Sequence, residues 1–254
     1  QAVLDILEGI CAVLFPTHLG QGALSRENTG LFVRNNLALA LTSLAEQVKR
    51  GLQFSAGESA PVALLKTRAH NIAGDFARQL PAIRTLLVAD LKAAYRADPS
   101  ANSIAEILLC SRGVTAIIYH RIAHALHNLG GRLVARVISD LAHASTGIDI
   151  HPGARIAEGF FIDHGTGIVV GETAEIGRNV QISQGVTISA MPVTPRNHTE
   201  HNPSHRKPII ENDVTIHAGA KVLGDITVGR NTVVGGNVWL AQSVPPDSVI
   251  NKSI

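Results

Sequence analysis

Apolar residues recur every third or fourth position through the first part of the chain and every sixth position through the rest. Val33, Leu37, Leu41, Leu44 and Val48 hold the helical spacing in one segment, and Ile72, Phe76, Leu80, Ile83, Leu87 and Leu91 in a second, with Pro81 as a kink point. Ile104, Ile107 and Leu108, continued by Ile118, Ile122 and Leu126, form a third, and Leu133, Val134, Val137 and Leu141 a fourth. These spacings predict amphipathic helices. Ser25–Gly30 reads as a helix approach; Ser55–Ser59 with Pro61, and Asp98-Pro99-Ser100, read as breaks, and Gly130-Gly131 separates the last two helices.

Past Gly147 the period changes to six. Ile150, Ile156, Ile162 and Ile168 lead, and Val170, Ile176, Ile182 and Ile188 repeat the spacing after a two-residue shift of phase. Ile210, Ile216, Val222, Val228, Val234 and Leu240 carry it on, each followed four positions later by Val214, Ala220, Ile226, Thr232, Val238 and Val244. A repeat this short predicts a parallel β-helix of hexapeptides. Three hexapeptides make one triangular coil, and each sixth side chain stacks inward on its counterpart about 4.8 Å away. Coils of this repeat class wind left-handed, an exception to the right-handed crossover rule. A β-sandwich would not hold a six-residue phase for 30 residues. The expected fold class is therefore α+β multidomain. An all-α domain at 1–147 is followed by a left-handed parallel β-helix at 148–254, interrupted by an extended loop at 189–208 with four Pro.

The 254 residues suffice for a substantial core, and 45% hydrophobic against 17% charged residues excludes global disorder. A net charge of +2 without basic runs, and only 4% aromatics, argue against a nucleic-acid surface. Cys11 and Cys110 are too far apart for a disulfide framework or zinc ribbon. No run reaches about 18 apolar residues and no signal pattern opens the chain. A cytoplasmic protein with no membrane partner is expected. Gln1 is no translation start, so the numbering is expected to begin inside a longer polypeptide.

Asp149-Ile150-His151-Pro152-Gly153-Ala154 and the run Ile162-Asp163-His164-Gly165-Thr166-Gly167-Ile168-Val169-Val170-Gly171-Glu172-Thr173-Ala174 carry the chemistry. Together they closely resemble serine O-acetyltransferases. Arg96-Ala97-Asp98-Pro99-Ser100, Tyr119–His124 and Ala218–Gly224 extend the resemblance over roughly residues 80–250. It implies acetyl transfer from acetyl-CoA to the hydroxyl of L-serine, in cysteine biosynthesis, with no tightly bound cofactor and no metal. It implies His164 as general base, since imidazole with a pKa near about 6.5 can accept the hydroxyl proton, and Asp149 as its carboxylate partner. Asp98 and Asp163 would bind the serine ammonium and Arg206 its carboxylate. Where the family has arginine-histidine-proline this chain reads Arg206-Lys207-Pro208, so either Lys207 or the displaced His205 takes that histidine's contact.

The family's glycine-rich stretch after this coil is replaced by Ser189-Ala190-Met191-Pro192. Ala190, Ala218, Lys221 and Gly236 are the expected coenzyme A contacts. The resemblance also implies a homotrimer or dimer of trimers, feedback inhibition by L-cysteine, and binding of cysteine synthase through a C-terminal Ile254. Two other readings compete with this one. A zinc hydratase of the γ-carbonic-anhydrase type would use His151, His164 and His217 as ligands, and a non-catalytic assembly module would tether cysteine synthase. His120, His124 and His127 share a helix face, as do metal ligands, yet packing explains them better; His198, His201 and His205 lie on the long loop.

Overall fold

The computed structural model describes residues 1–20, 26–56, 61–190 and 207–251. Among these, helices α1 (Ala2–Leu14), α2 (Pro16–Leu19), α3 (Arg26–Ala56), α4 (Val62–Ala97), α5 (Ile104–Cys110), α6 (Arg112–Asn128) and α7 (Arg132–Thr146) precede every strand. The periodic segments fall on α3, α4, α5 with α6, and α7. Three details differ from the sequence reading. α1 has no counterpart in it. α3 starts at Arg26 and takes Gly30 into the helix, where a Cβ would meet nothing within 4 Å. The third segment is two helices, because Ser111 is extended (φ −79°, ψ 120°) between them. α4 runs unbroken through Pro81, even though proline lacks the N–H of one helical bond.

Packing groups the chain into two compact units: residues 1–85 with 118–141, and 86–117 with 142–254. In the first, Ile6, Leu7 and Ile10 of α1 are buried, α1 packs against α3, and Arg84 donates from Nε to the Leu14 carbonyl (2.8 Å). The second holds the end of α4, all of α5, the first turns of α6, the end of α7 and every strand.

The strands form three parallel sheets, ordered β1-β4-β7-β10-β13, β2-β5-β8-β11 and β3-β6-β9-β12-β14. Here β1 is Asp149–Ile150, β2 Arg155–Ile156, β3 Phe161–Asp163, β4 Val169–Val170, β5 Glu175–Ile176, β6 Gln181–Ser183 and β7 Thr187–Ser189. They are followed by β8 Ile209–Ile210, β9 Thr215–Ile216, β10 Lys221–Leu223, β11 Thr227–Val228, β12 Val233–Val234, β13 Trp239–Leu240 and β14 Val249–Ile250. This is the left-handed β-helix of hexapeptide coils expected from the period. Every sixth-position aliphatic from Ile150 to Leu240 is buried. Registered partners are 18 residues apart in regular coils, as in Val169↔Thr187, but 20 apart in the first, as in Asp149↔Val169. The two extra residues lie in the turn between β3 and β4, the place of the phase shift in the sequence. Glu175 and Ile209 register 34 apart, because the long loop leaves the coil between β7 and β8.

Corners are held by left-handed residues stacked coil upon coil. Asn179, Asp213, Asn231 and Asp247 have φ between 55° and 61°. Asn179 donates from Nδ2 to Asp213 Oδ1 (3.0 Å) and Asn231 to Asp247 Oδ1 (2.8 Å). Asn and Asp tolerate this conformation better than other residues with a Cβ, which is why they punctuate the repeat.

Candidate active site

The two-residue insertion makes the β3–β4 turn wider than the other corners, and His164 sits at its start. Its φ of 58° is left-handed, a conformation in which His is enriched among non-glycine residues. Gly165 follows at φ 101°, and a Cβ there would lie 2.5 Å from Ile148 Cδ1, so the turn requires glycine. The result pushes the imidazole outward: the side chain is 77% exposed, with Nε2 3.8 Å from Asp163 Oδ1.

Asp98 arrives from the end of α4. Its Oδ1 accepts from the Ser100 N–H (2.9 Å) and the Ser100 hydroxyl (2.6 Å), closing a turn directly after the helix. These two bonds, with a smaller contribution from His164, hold its carboxyl below the ordinary carboxylate range. Asp98 is thus a carboxylate at neutral pH and lies within electrostatic reach of the His164 ring.

Asp98, Asp163 and His164 line one cleft of about 670 Å³, together with Glu106, Cys110 and Arg112. Glu106 is engaged at the start of α5: its N–H donates to Ser103 Oγ (3.1 Å) and its Oε2 accepts from the Asn102 N–H (2.9 Å), a reciprocal cap. Arg112 donates from Nη1 to the Ser145 carbonyl (2.8 Å). A cleft with three carboxylates, one guanidinium and one imidazole suits a small zwitterion whose ammonium faces the acids. Sequence reading missed Glu106, Cys110 and Arg112; of these only the Ser103–Glu106 cap spacing is a legible signal.

Asp149 occupies the outer row of its sheet, where register aligns Asp149, Val169, Thr187, Lys221 and Trp239. No hydrogen bond joins it to His164 among the described residues; the carboxylate beside that ring is Asp163. Lys221, two positions along that row from Val169, donates from Nζ to the Gly185 carbonyl (2.7 Å) and to Thr187 Oγ1 (2.9 Å). Ala218 and Gly236 lie one coil apart, so close that a Cβ on Gly236 would be 3.3 Å from the Ala218 carbonyl. Ala190 is half-buried just past β7. Lys207 donates from Nζ to Glu175 Oε1 (2.9 Å), and this bond, with Arg155 nearby, holds Glu175 below the ordinary carboxylate range. His205 and Arg206 lie outside the described residues, as do His198, His201 and Ile254.

Neither cysteine is paired with the other. Desolvation, with Glu8 adding, pushes the Cys11 thiol up to about 12, which removes it as a nucleophile. No group of three His, Cys, Asp or Glu poised for a metal exists among the described residues, and the His151 ring accepts from the Gly153 N–H in its own turn (3.0 Å). No described helix is long and apolar enough to cross a membrane.

Residues 207–242 match the family described as bacterial transferase hexapeptide (six repeats). The plasmid-encoded serine acetyltransferase of Synechococcus elongatus is 48% identical over 255 residues, covering 98% of this chain and 79% of that protein. The crystal structure of serine acetyltransferase isoform 3 from Entamoeba histolytica, in complex with cysteine, superimposes with a TM-score of 0.83 at 34% identity, covering 98% of this chain and 82% of that one. A serine acetyltransferase in complex with CoA gives a TM-score of 0.62 at 28% identity, covering 97% and 96%.

Proposed function

The chain belongs to the serine acetyltransferase family, and we propose that it performs the acetyl transfer with His164 as the base and Asp98 and Asp163 as the ammonium site. The observation that carries this reading is the shared cleft: an exposed imidazole, an ionised Asp98 and Asp163 open onto one space. Serine's hydroxyl is too weak an acid to attack a thioester unaided at neutral pH. His164 takes its proton as the bond from Oγ to the acetyl carbon forms. Collapse of the tetrahedral adduct breaks the carbon–sulfur bond, and the imidazolium returns the proton to the departing thiolate. No acyl-enzyme is needed, because the base lets the serine hydroxyl attack the thioester directly.

Asp149 is assigned the role of steadying the imidazolium, with Asp163 in second place by its nearness to the ring. Arg206 receives the serine carboxylate; since the Lys207 ammonium is held by Glu175, His205 is the better candidate for the adjoining contact. Acetyl-CoA is the co-substrate, and its carrier follows the outer row at Lys221 with Ala190, Ala218 and Gly236. Cysteine, one atom different from serine, occupies the same site as an inhibitor, in line with the cysteine complex of the Entamoeba relative. The working particle is a homotrimer or a dimer of trimers, and cysteine synthase is a proposed partner. Cytoplasmic location accompanies this reading.

Thiol release from acetyl-CoA against a panel of amino-acid and sugar acceptors tests the reading. L-Serine is expected to be the preferred acceptor and L-cysteine to compete with it. Equal rates with sugars, or release independent of any amino acid, would overturn it.

A further inference from the structure

Asp90 is 1% exposed, on α4 and eight residues ahead of Asp98, roughly 12 Å along a helix. Its Oδ1 accepts the Phe160 N–H at 3.0 Å, and Phe160 is itself 2% exposed. Phe160 stands directly before β3 and four residues before His164. A buried carboxylate is costly unless hydrogen-bonded, and a backbone N–H to a carboxylate is among the stronger neutral-to-charged bonds. The bond therefore ties the α4 segment carrying Asp98 to the coil carrying Asp163 and His164. Those groups come from chain segments far apart in sequence, and one ammonium can be held by both carboxylates only if their separation is fixed.

We infer that Asp90 is a positioning residue for serine: its bond to Phe160 sets Asp98 against Asp163 and His164. The inference rests on the proposal that Asp98 and Asp163 bind the ammonium. Loss of the tether loosens that grip while the outer row assigned to coenzyme A keeps its own bonds, so the two substrates respond differently. Misplacement of about 1 Å can cost roughly a hundredfold in rate.

Serine and acetyl-CoA kinetics are measured for wild type, Asp90→Ala, Asp90→Asn, Asp98→Asn and the Asp90→Ala/Asp98→Asn double variant. Asp90→Ala is expected to raise the serine KM about tenfold and lower kcat, with the acetyl-CoA KM within about twofold of wild type. Asp90→Asn keeps an acceptor oxygen and raises the serine KM only about threefold. In the Asp98→Asn background, Asp90→Ala adds less than about threefold, because the two act through one contact. An unchanged serine KM in folded Asp90→Ala, equal rises for both substrates, or full additivity would each overturn the inference. If Asp90→Ala does not fold, Asp90→Asn decides, and wild-type values would overturn it. A wild-type serine KM in Asp98→Asn would instead bring down the ammonium site itself, and the positioning role with it.

Discussion

Gly113, in the first turn of α6, lies against β3 so closely that a Cβ would be 2.7 Å from the Ile162 carbonyl oxygen and 2.8 Å from Ile162 Cβ. Real contacts of this kind need more than 3.0 Å. Both offending atoms belong to the strand that leads into Asp163 and His164, so neither can swing aside as a flexible side chain would. Helix propensity alone would make Gly113→Ala stabilising by about 1 kcal/mol. Overpacking against a rigid strand costs about 1–3 kcal/mol, so the net expectation is a loss of about 0–2 kcal/mol, with the opposite sign to propensity at the larger end. Gly74→Ala in α4 is the matched control: its nearest neighbour would be Arg78 Nη1 at 3.9 Å, so propensity prevails and stability rises by about 0.5–1 kcal/mol. Thermal unfolding followed by circular dichroism at one protein concentration separates the two. Serine kinetics should also worsen in Gly113→Ala and stay unchanged in Gly74→Ala. A Gly113→Ala protein as stabilised as Gly74→Ala, with wild-type serine KM, would refute the close packing of α6 on β3.

Three further outcomes follow from the same geometry. Iodoacetamide should label exposed Cys110 and spare Cys11, and saturating L-serine should slow the labelling because Cys110 lines the cleft; labelling indifferent to serine would speak against that placement. Asn231→Ala should lower stability by about 1–2 kcal/mol, since alanine pays for a left-handed φ of 55° and loses the bond to Asp247, whereas Asn231→Gly should cost less; equal melting temperatures would contradict the corner ladder. Glu175 has a folded pKa below its ordinary 4.5, so it adds stability above that value, and this is lost as pH falls through the folded pKa. Glu175→Gln should accordingly melt lower at neutral pH, by an amount worth at most about 1 kcal/mol, and the gap to wild type should close on acidification.

The coils were legible because burial recurs strictly: every sixth aliphatic from Ile150 to Leu240 turned out to face the core. The widened turn was visible too, as the slip between Ile168 and Val170. What the period could not reveal is proximity across long separations. Asp98 and Asp163 share a cleft because α4 ends beside the first coil, a fact of packing that no local spacing encodes. Asp90 reads in sequence like any helical aspartate between apolar neighbours, and its burial and its bond to Phe160 emerge from the structure. α1 was legible in principle as well, since buried Ile6, Leu7, Ile10 and Leu14 hold the helical spacing around exposed Asp5 and Glu8. The Asp149–His164 pairing rests on resemblance, and the register places Asp149 in the outer row of its sheet.

The role of His164 is tested most directly by the turnover of His164→Ala at saturating L-serine and acetyl-CoA, in protein shown to retain wild-type melting and assembly. The imidazole's removal should lower kcat roughly a hundredfold or more, the usual range for a general base. Turnover near the wild-type value in that folded variant would contradict the assignment.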